Sequence, residues 1–216
     1  MENTIFNGLN ANALLEKIIA KEEEFKKNGA LDLGFVSDGM RLPHDELIEL
    51  LNKGYAKAIP YLERDAIKRA KASKSDDERI DCESEIAFWN TLTYMVCEHF
   101  YELGELNYES HLAYMLLSGV GCSKDTERGM KLSVLEMERT ASSLVGEARD
   151  TALEFIESRR QKGREREAKI AKAIFDGNRA ELDAQLDIAR SKGDEKEIMV
   201  GASSLMHCAR HYAMHK

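Results

Sequence analysis

The stretch that decides the fold is Ala113–Leu132, AYMLLSGVGCSKDTERGMKL. Leu116 and Leu117 close one periodic apolar run, and the chain then turns through Gly119-Val120-Gly121. Glycine adopts at little cost the positive φ that ends a helix. Lys124-Asp125 follows, where Asp125 can accept from the free N–H groups of a second helix and Glu127 is favoured by the helix dipole. The spacing predicts an α-hairpin. It names no reaction.

The flanking chain reads the same way. Asn10 or Asn12 caps a first helix running to about Lys27, with Leu14, Leu15, Ile18, Ile19 and Phe25 on one side and Asn28-Gly29 at its end. Residues 30–42 read as an ordered loop, because Leu31, Leu33, Phe35 and Val36 need cover. Pro43 suits the first turn of the next helix. GYAKAIPYLERDA (Gly54–Ala66) reads as a helix beginning near Gly54 and kinked at Pro60; a start near Ile59 would instead make Pro60 a helix starter. Ser73–Asp77 is a polar break, Ile80–Leu103 one long helix, and Gly104–Tyr108 a separator. Leu144 to about Gln161, Glu165–Phe175, Arg179–Arg190 with Asn178 as cap, and Glu195 onward complete the set. Short turns between such helices favour antiparallel neighbours.

The central hairpin resembles one unit of the Sel-one-like repeat family, α/α solenoids related to tetratricopeptide repeats. Tyr114, Gly119, Gly121 and Asp125 match that family's pattern, and Arg128 fills its basic position. Gly129 stands where Ala is usual, Leu132 where an aromatic is usual, and Glu136-Met137 where an Ala pair is usual. A shift of 71 residues places Lys57, Ala58 and Tyr61 on the same pattern, with room for one intervening unit. The resemblance implies an all-α fold of antiparallel hairpins in a short right-handed solenoid with extra terminal helices. The chain, 1–216, then reads as one helical domain: a helix and ordered loop over 1–42, repeats over 43–143 and closing helices over 144–216.

Composition agrees with helices. Charged residues make up 32% of the chain, above the usual quarter, as amphipathic helices with solvated faces require. A net charge of −8 disfavours nucleic acid as a partner and suits a basic protein. No segment approaches 18 apolar residues, so no membrane span is expected. Glu16-Lys17 interrupts the first apolar stretch, against a secretory signal. Cys82, Cys97, Cys122 and Cys208 form no CxxC spacing, and reduced thiols in the cytoplasm are expected.

Candidate chemistry is sparse. His207, His211 and His215 recur at i, i+4 and i+8, a spacing at which neighbouring imidazoles can share a divalent metal; the alternative is a His-rich solvated face opposite Leu205, Ala209 and Tyr212. The sequence contains no HExxH, no ExxH, no phosphate loop and no GxSxG elbow. Cys97 and His99 are too close on a helix to face each other as nucleophile and base. Aromatics concentrate from Phe88 to Tyr114; most belong to the core, while Trp89, Tyr101 and Tyr108 are candidates to line a partner groove. The basic runs Arg64–Lys74 and Arg159–Lys172 are interleaved with Ala and Glu as solvated helix faces are. An acidic mimic of nucleic acid would need a continuous carboxylate stripe, whereas Glu22–Glu24 and Asp76–Glu85 are broken blocks.

The expectation is a non-catalytic protein-interaction module that needs no cofactor. The resemblance implies an adaptor or inhibitor, by family analogy an immunity or host-interaction protein, holding a partner on a helical surface. A second copy of the chain is the alternative occupant. The competing class is a metal-binding protein or small metal-dependent enzyme using His207, His211 and His215.

Overall fold

The computed structural model describes residues 4–28 and 42–215. Among them stand ten α-helices and one hairpin of two-residue strands. The fold is all-α. Residues 30–41 of the expected ordered loop lie outside the described residues. Packing divides the chain into two compact units. Unit 1 takes the described residues up to Gly104 together with Val120–Cys122, and unit 2 takes Glu105–Gly119 and Ser123 onward. The boundary fell inside the expected 43–143 repeat segment because its only mark is a glycine turn, with none of the polar, flexible composition of a linker.

Unit 1 opens with strands β1 (Ile5–Phe6) and β2 (Leu9–Asn10), paired antiparallel around Asn7-Gly8. Both turn residues have positive φ, 44° and 79°, as a two-residue turn needs to match strand twist. Helix α1 (Ala11–Asn28) follows, with the Asn10 Oδ1 accepting from the Ala13 N–H at 3.0 Å. Helix α2 (His44–Asn52) starts one residue after Pro43, so Pro43 is its N-cap. A short 3₁₀ turn, Ala56–Ala58, leads into α3 (Ile59–Ala72). The expected kinked helix from Gly54 is therefore corrected: Gly54 has φ +88°, which breaks the chain before the turn, and Pro60 sits in the first turn of α3, where a missing N–H costs nothing. Helix α4 (Asp76–Glu102) is the long helix expected, and its Phe88, Trp89, Leu92, Val96 and Phe100 are buried. It packs on α1, α3 and β1.

Unit 2 begins with a 3₁₀ turn, Leu106–Tyr108, and α5 (Glu109–Ser118). The backbone here repeats that of unit 1. Tyr55 and Glu105 lead their turns at φ/ψ of −81°/92° and −82°/94°, and each follows a left-handed glycine, Gly54 or Gly104. Helix α6 (Thr126–Ser142) is capped as expected, the Arg128 N–H donating to Asp125 Oδ1 at 3.0 Å. The pair runs antiparallel: Glu109 at the start of α5 pairs with Arg139 near the end of α6, while Leu117 near the end of α5 meets Gly129. A Cβ on Gly129 would lie 2.8 Å from Leu117 Cγ and 3.1 Å from the Ala113 carbonyl oxygen. Glycine at position 129 thus lets the two helices approach closely.

Helices α7 (Glu147–Arg160), α8 (Glu165–Phe175), α9 (Arg179–Lys192) and α10 (Glu195–Met214) complete the unit. Asn178 caps α9 through the Glu181 N–H, 3.2 Å away. The last helix packs on α5, α6, α7, α8 and α9. Helices of a strict solenoid meet only adjacent repeats; in unit 2 the helices gather around α10. Its Met199, Ala202, Leu205, Met206 and Ala209 stand at most 1% exposed in a core shared with α6, α7 and α8.

Gly54 and Gly104 form a matched pair. Their φ values are +88° and +86°, but a Cβ on Gly54 would lie 2.3 Å from the Lys17 carbonyl oxygen and 2.7 Å from Lys21 Cβ, while nothing stands within 4 Å of one on Gly104. Gly104→Ala is expected to destabilise by about 1–2 kcal/mol through left-handed strain alone. Gly54→Ala adds overpacking against α1 of about 1–3 kcal/mol. Urea unfolding of both variants checks this, and equal losses would disprove the close approach.

Candidate functional site

The strongest candidate site lies inside unit 2, where α5, α6 and α10 leave a cleft of about 230 Å³. Helical spacing builds each wall. Ser110, Tyr114 and Leu117 at i, i+4 and i+7 share one face of α5; Ser133 and Glu136 supply the floor from α6; Met199, Val200, Ser203, Ser204 and His207 come from α10. Leu117 and Met199 are buried, whereas Tyr114 and Val200 remain 39% and 41% exposed. The open walls are chiefly apolar. The Lys196 ammonium lies over the Tyr114 ring, 5.3 Å from its centroid.

Glu136 is the buried charge of this cleft, at 8% exposure. His207 Nε2 donates to its Oε1 at 2.8 Å, the Thr140 hydroxyl reaches the same oxygen at 3.3 Å, and the Ser203 hydroxyl donates to Oε2 at 2.9 Å. Burial pushes the Glu136 carboxyl up, but these hydrogen bonds, that from His207 first, outweigh burial and hold it below the ordinary carboxylate range. The hydrogen bond to Glu136 likewise holds the His207 imidazolium above its ordinary range, against desolvation and the charge of Arg210. The carboxylate and imidazole are thus committed to each other across α6 and α10. Ser203 donates to the carboxylate and not to the imidazole, so no nucleophile–base pair is assembled here.

The structure separates most of the residues expected to act together. Trp89 is 0% exposed, with its indole N–H donating to Glu85 Oε1 at 3.0 Å. It lines no groove; its large ring is core, and the expectation for it is corrected. Tyr101, on the last turn of α4 in unit 1, and Tyr108, in the turn before α5 in unit 2, are both half-buried. Of the three histidines, only His207 enters the cleft. His211 and His215 stack on each other with ring centroids 4.4 Å apart, both exposed. Among the described residues no group of three or more His, Cys, Asp or Glu side chains is placed to hold a metal ion. One nitrogen of His207 already serves Glu136.

Two residues central to the cleft were missed in the sequence, Glu136 and Ser203. Glu136 did carry a signal. It shares the buried face of α6 with Leu132, Ser133, Met137 and Thr140, where a carboxylate needs a partner. Ser203 carried none, because its role depends on a contact across 67 residues. All four cysteines are free thiols; burial pushes the Cys97 thiol up to about 12, which makes it inert. No helix among the described residues is long and apolar enough to cross a membrane. No protein-family model matches the chain, and no curated protein or solved structure is significantly similar to it.

The Glu136–His207 pair sets a pH signature. His207 titrates above its ordinary 6.5, so its contribution is complete below that value and is lost as pH rises through the raised one. Glu136 titrates below its ordinary 4.5, so its contribution is complete above that value and is lost as pH falls through the lowered one. His207→Gln keeps a donor and removes the charge. The wild type is expected to exceed this variant in Tm most between about pH 4.5 and 6.5, with the gap closing toward alkaline pH. A gap independent of pH in thermal melts would show that the pair is not ionic.

Proposed function

We propose that this chain is a non-catalytic protein-interaction module whose unit 2 cleft receives a segment of a partner protein, in the manner of an adaptor or inhibitor. The observation that carries the reading is the contrast between the cleft's walls and its floor. Tyr114 and Val200 offer open apolar surface, while the Glu136 carboxylate, the Ser203 hydroxyl and the His207 Nε2 are engaged with one another. Amphipathic aromatics beside apolar pockets anchor protein contacts, whereas reaction centres keep a polar group aimed at substrate. A volume of about 230 Å³ lies below the roughly 300–1,000 Å³ of pockets that enclose a whole small molecule. The resemblance of Ala113–Leu132 to a Sel-one-like hairpin agrees, because such helical surfaces serve protein recognition.

A photo-crosslinking residue at Tyr114 tests the reading in native-cell extract, with the same residue at Ile80 on α4 as the control. A discrete adduct to another protein is expected from position 114 alone. Val200→Glu, which charges the apolar wall, should reduce it several-fold. Adducts only between copies of the chain would overturn the adaptor reading and leave a homo-oligomer.

A further inference from the structure

The net charge of −8 directs attention to a basic partner, but that charge is unevenly placed. The acidic excess falls almost entirely on residues up to Gly104, and the remainder of the chain is close to neutral. At the unit 2 cleft the sign reverses. Along α10, positions 196, 200, 203, 207 and 210 fall on one helical face, so Lys196, His207 and Arg210 share it with Val200 and Ser203. Lys196 already reaches the cleft wall over Tyr114, and Arg210 is close enough to His207 to act on its charge. Among the described residues, the carboxylate that lines the cleft is Glu136, neutralised on the floor by His207. What the rim presents is cationic.

We propose, resting on the interaction reading above, that the cleft binds an extended acidic peptide segment: one apolar side chain fills the slot between Tyr114 and Val200, and flanking Asp or Glu residues pair with Lys196 and Arg210. The size supports a single anchor, because a large apolar side chain and not a whole ligand matches the available space. Charge complementarity selects the flanks. A basic segment would meet Lys196 and Arg210, while Glu136, the carboxylate among the lining residues, is already paired with His207. Burial of the anchor supplies affinity, and the rim charges supply discrimination and association rate.

The probes are three synthetic peptides with blocked ends, EELEE, KKLKK and EEAEE, titrated into the full chain carrying ¹³C-methyl methionine. The Met199 methyl lines the cleft and the Met206 methyl, buried outside it, is the reference. EELEE is expected to shift Met199 saturably and to leave Met206 in place. KKLKK and EEAEE should each bind about tenfold or more weakly, the first through charge and the second through the lost anchor. The double charge reversal Lys196→Glu, Arg210→Glu alters a half-buried and an exposed position and should transfer the preference to KKLKK, with circular dichroism confirming the fold. Equal binding of EELEE and KKLKK, or an unchanged preference in the reversed variant, overturns the proposal. If none of the peptides moves Met199 while the Tyr114 crosslinker still captures a protein, the acidic-segment inference fails and the interaction reading stands. If the crosslinker also captures nothing, both fail.

Discussion

A buried carboxylate must find a partner, and three of them set the arrangement of this protein. Glu85, Glu109 and Glu136 are 4%, 0% and 8% exposed. Each is paired to a different helix of its own unit: Glu85 on α4 to Arg69 on α3, Glu109 on α5 to Arg139 on α6, Glu136 on α6 to His207 on α10. Removing the cation of such a pair leaves a carboxylate in a poor solvent, a loss softened because each cation is itself partly exposed. Apolar packing alone tolerates a helix that slides or rotates, whereas a carboxylate admits only the register that brings its cation within reach. The long helix α4 shows the effect. Glu85 receives Arg69 Nη2 at 2.7 Å and the Trp89 indole at 3.0 Å, so one carboxylate fixes both the neighbouring helix and the largest core ring.

The same constraint makes the cleft. On α6 the face that carries Leu132 and Met137 into the core also carries Ser133, Glu136 and Thr140. An apolar residue at position 136 would let α10 close onto α6 by dispersion. A carboxylate there instead holds α10 through His207 and Ser203, leaving a slot beside Tyr114 and Val200. Glu136 thus both lines the cleft and ties the helices on either side of it.

Much of the fold was legible because helix ends are written locally. Asp125 and Asn178 each accept from an N–H three residues on, and such caps depend on nothing distant. Asn7-Gly8 carried an equally local hairpin signal that the flanking two-residue strands made easy to overlook. Pro60 permits two readings from sequence, and the left-handed Gly54 settled which applies. The cleft was less legible. Its lining joins residues from Ser110 to His207 through three helices, and helical periodicity states which face is buried without stating what it is buried against. Trp89 shows the same limit, since an amphipathic ring in a helix reads alike as anchor or core until the neighbour that satisfies its N–H is known.

Whole-chain charge is a coarse guide for a related reason. A single number averages over surfaces that never act together, and a partner's field is set within about a Debye length, roughly 8 Å at physiological salt. Carboxylates on α1 and the first turns of α4 contribute to the total of −8, yet none of them lines the unit 2 cleft. The lining is instead fixed by the helical phase of α10, which returns Lys196, His207 and Arg210 to one side while Leu205, Met206 and Ala209 face the core. Shifting a single basic residue by two positions along that helix would leave composition and net charge untouched and would remove its charge from the cleft's side of α10. The side-chain lining of the cleft is a property of helical phase, and the buried pair at Glu136 ties α10 to α6.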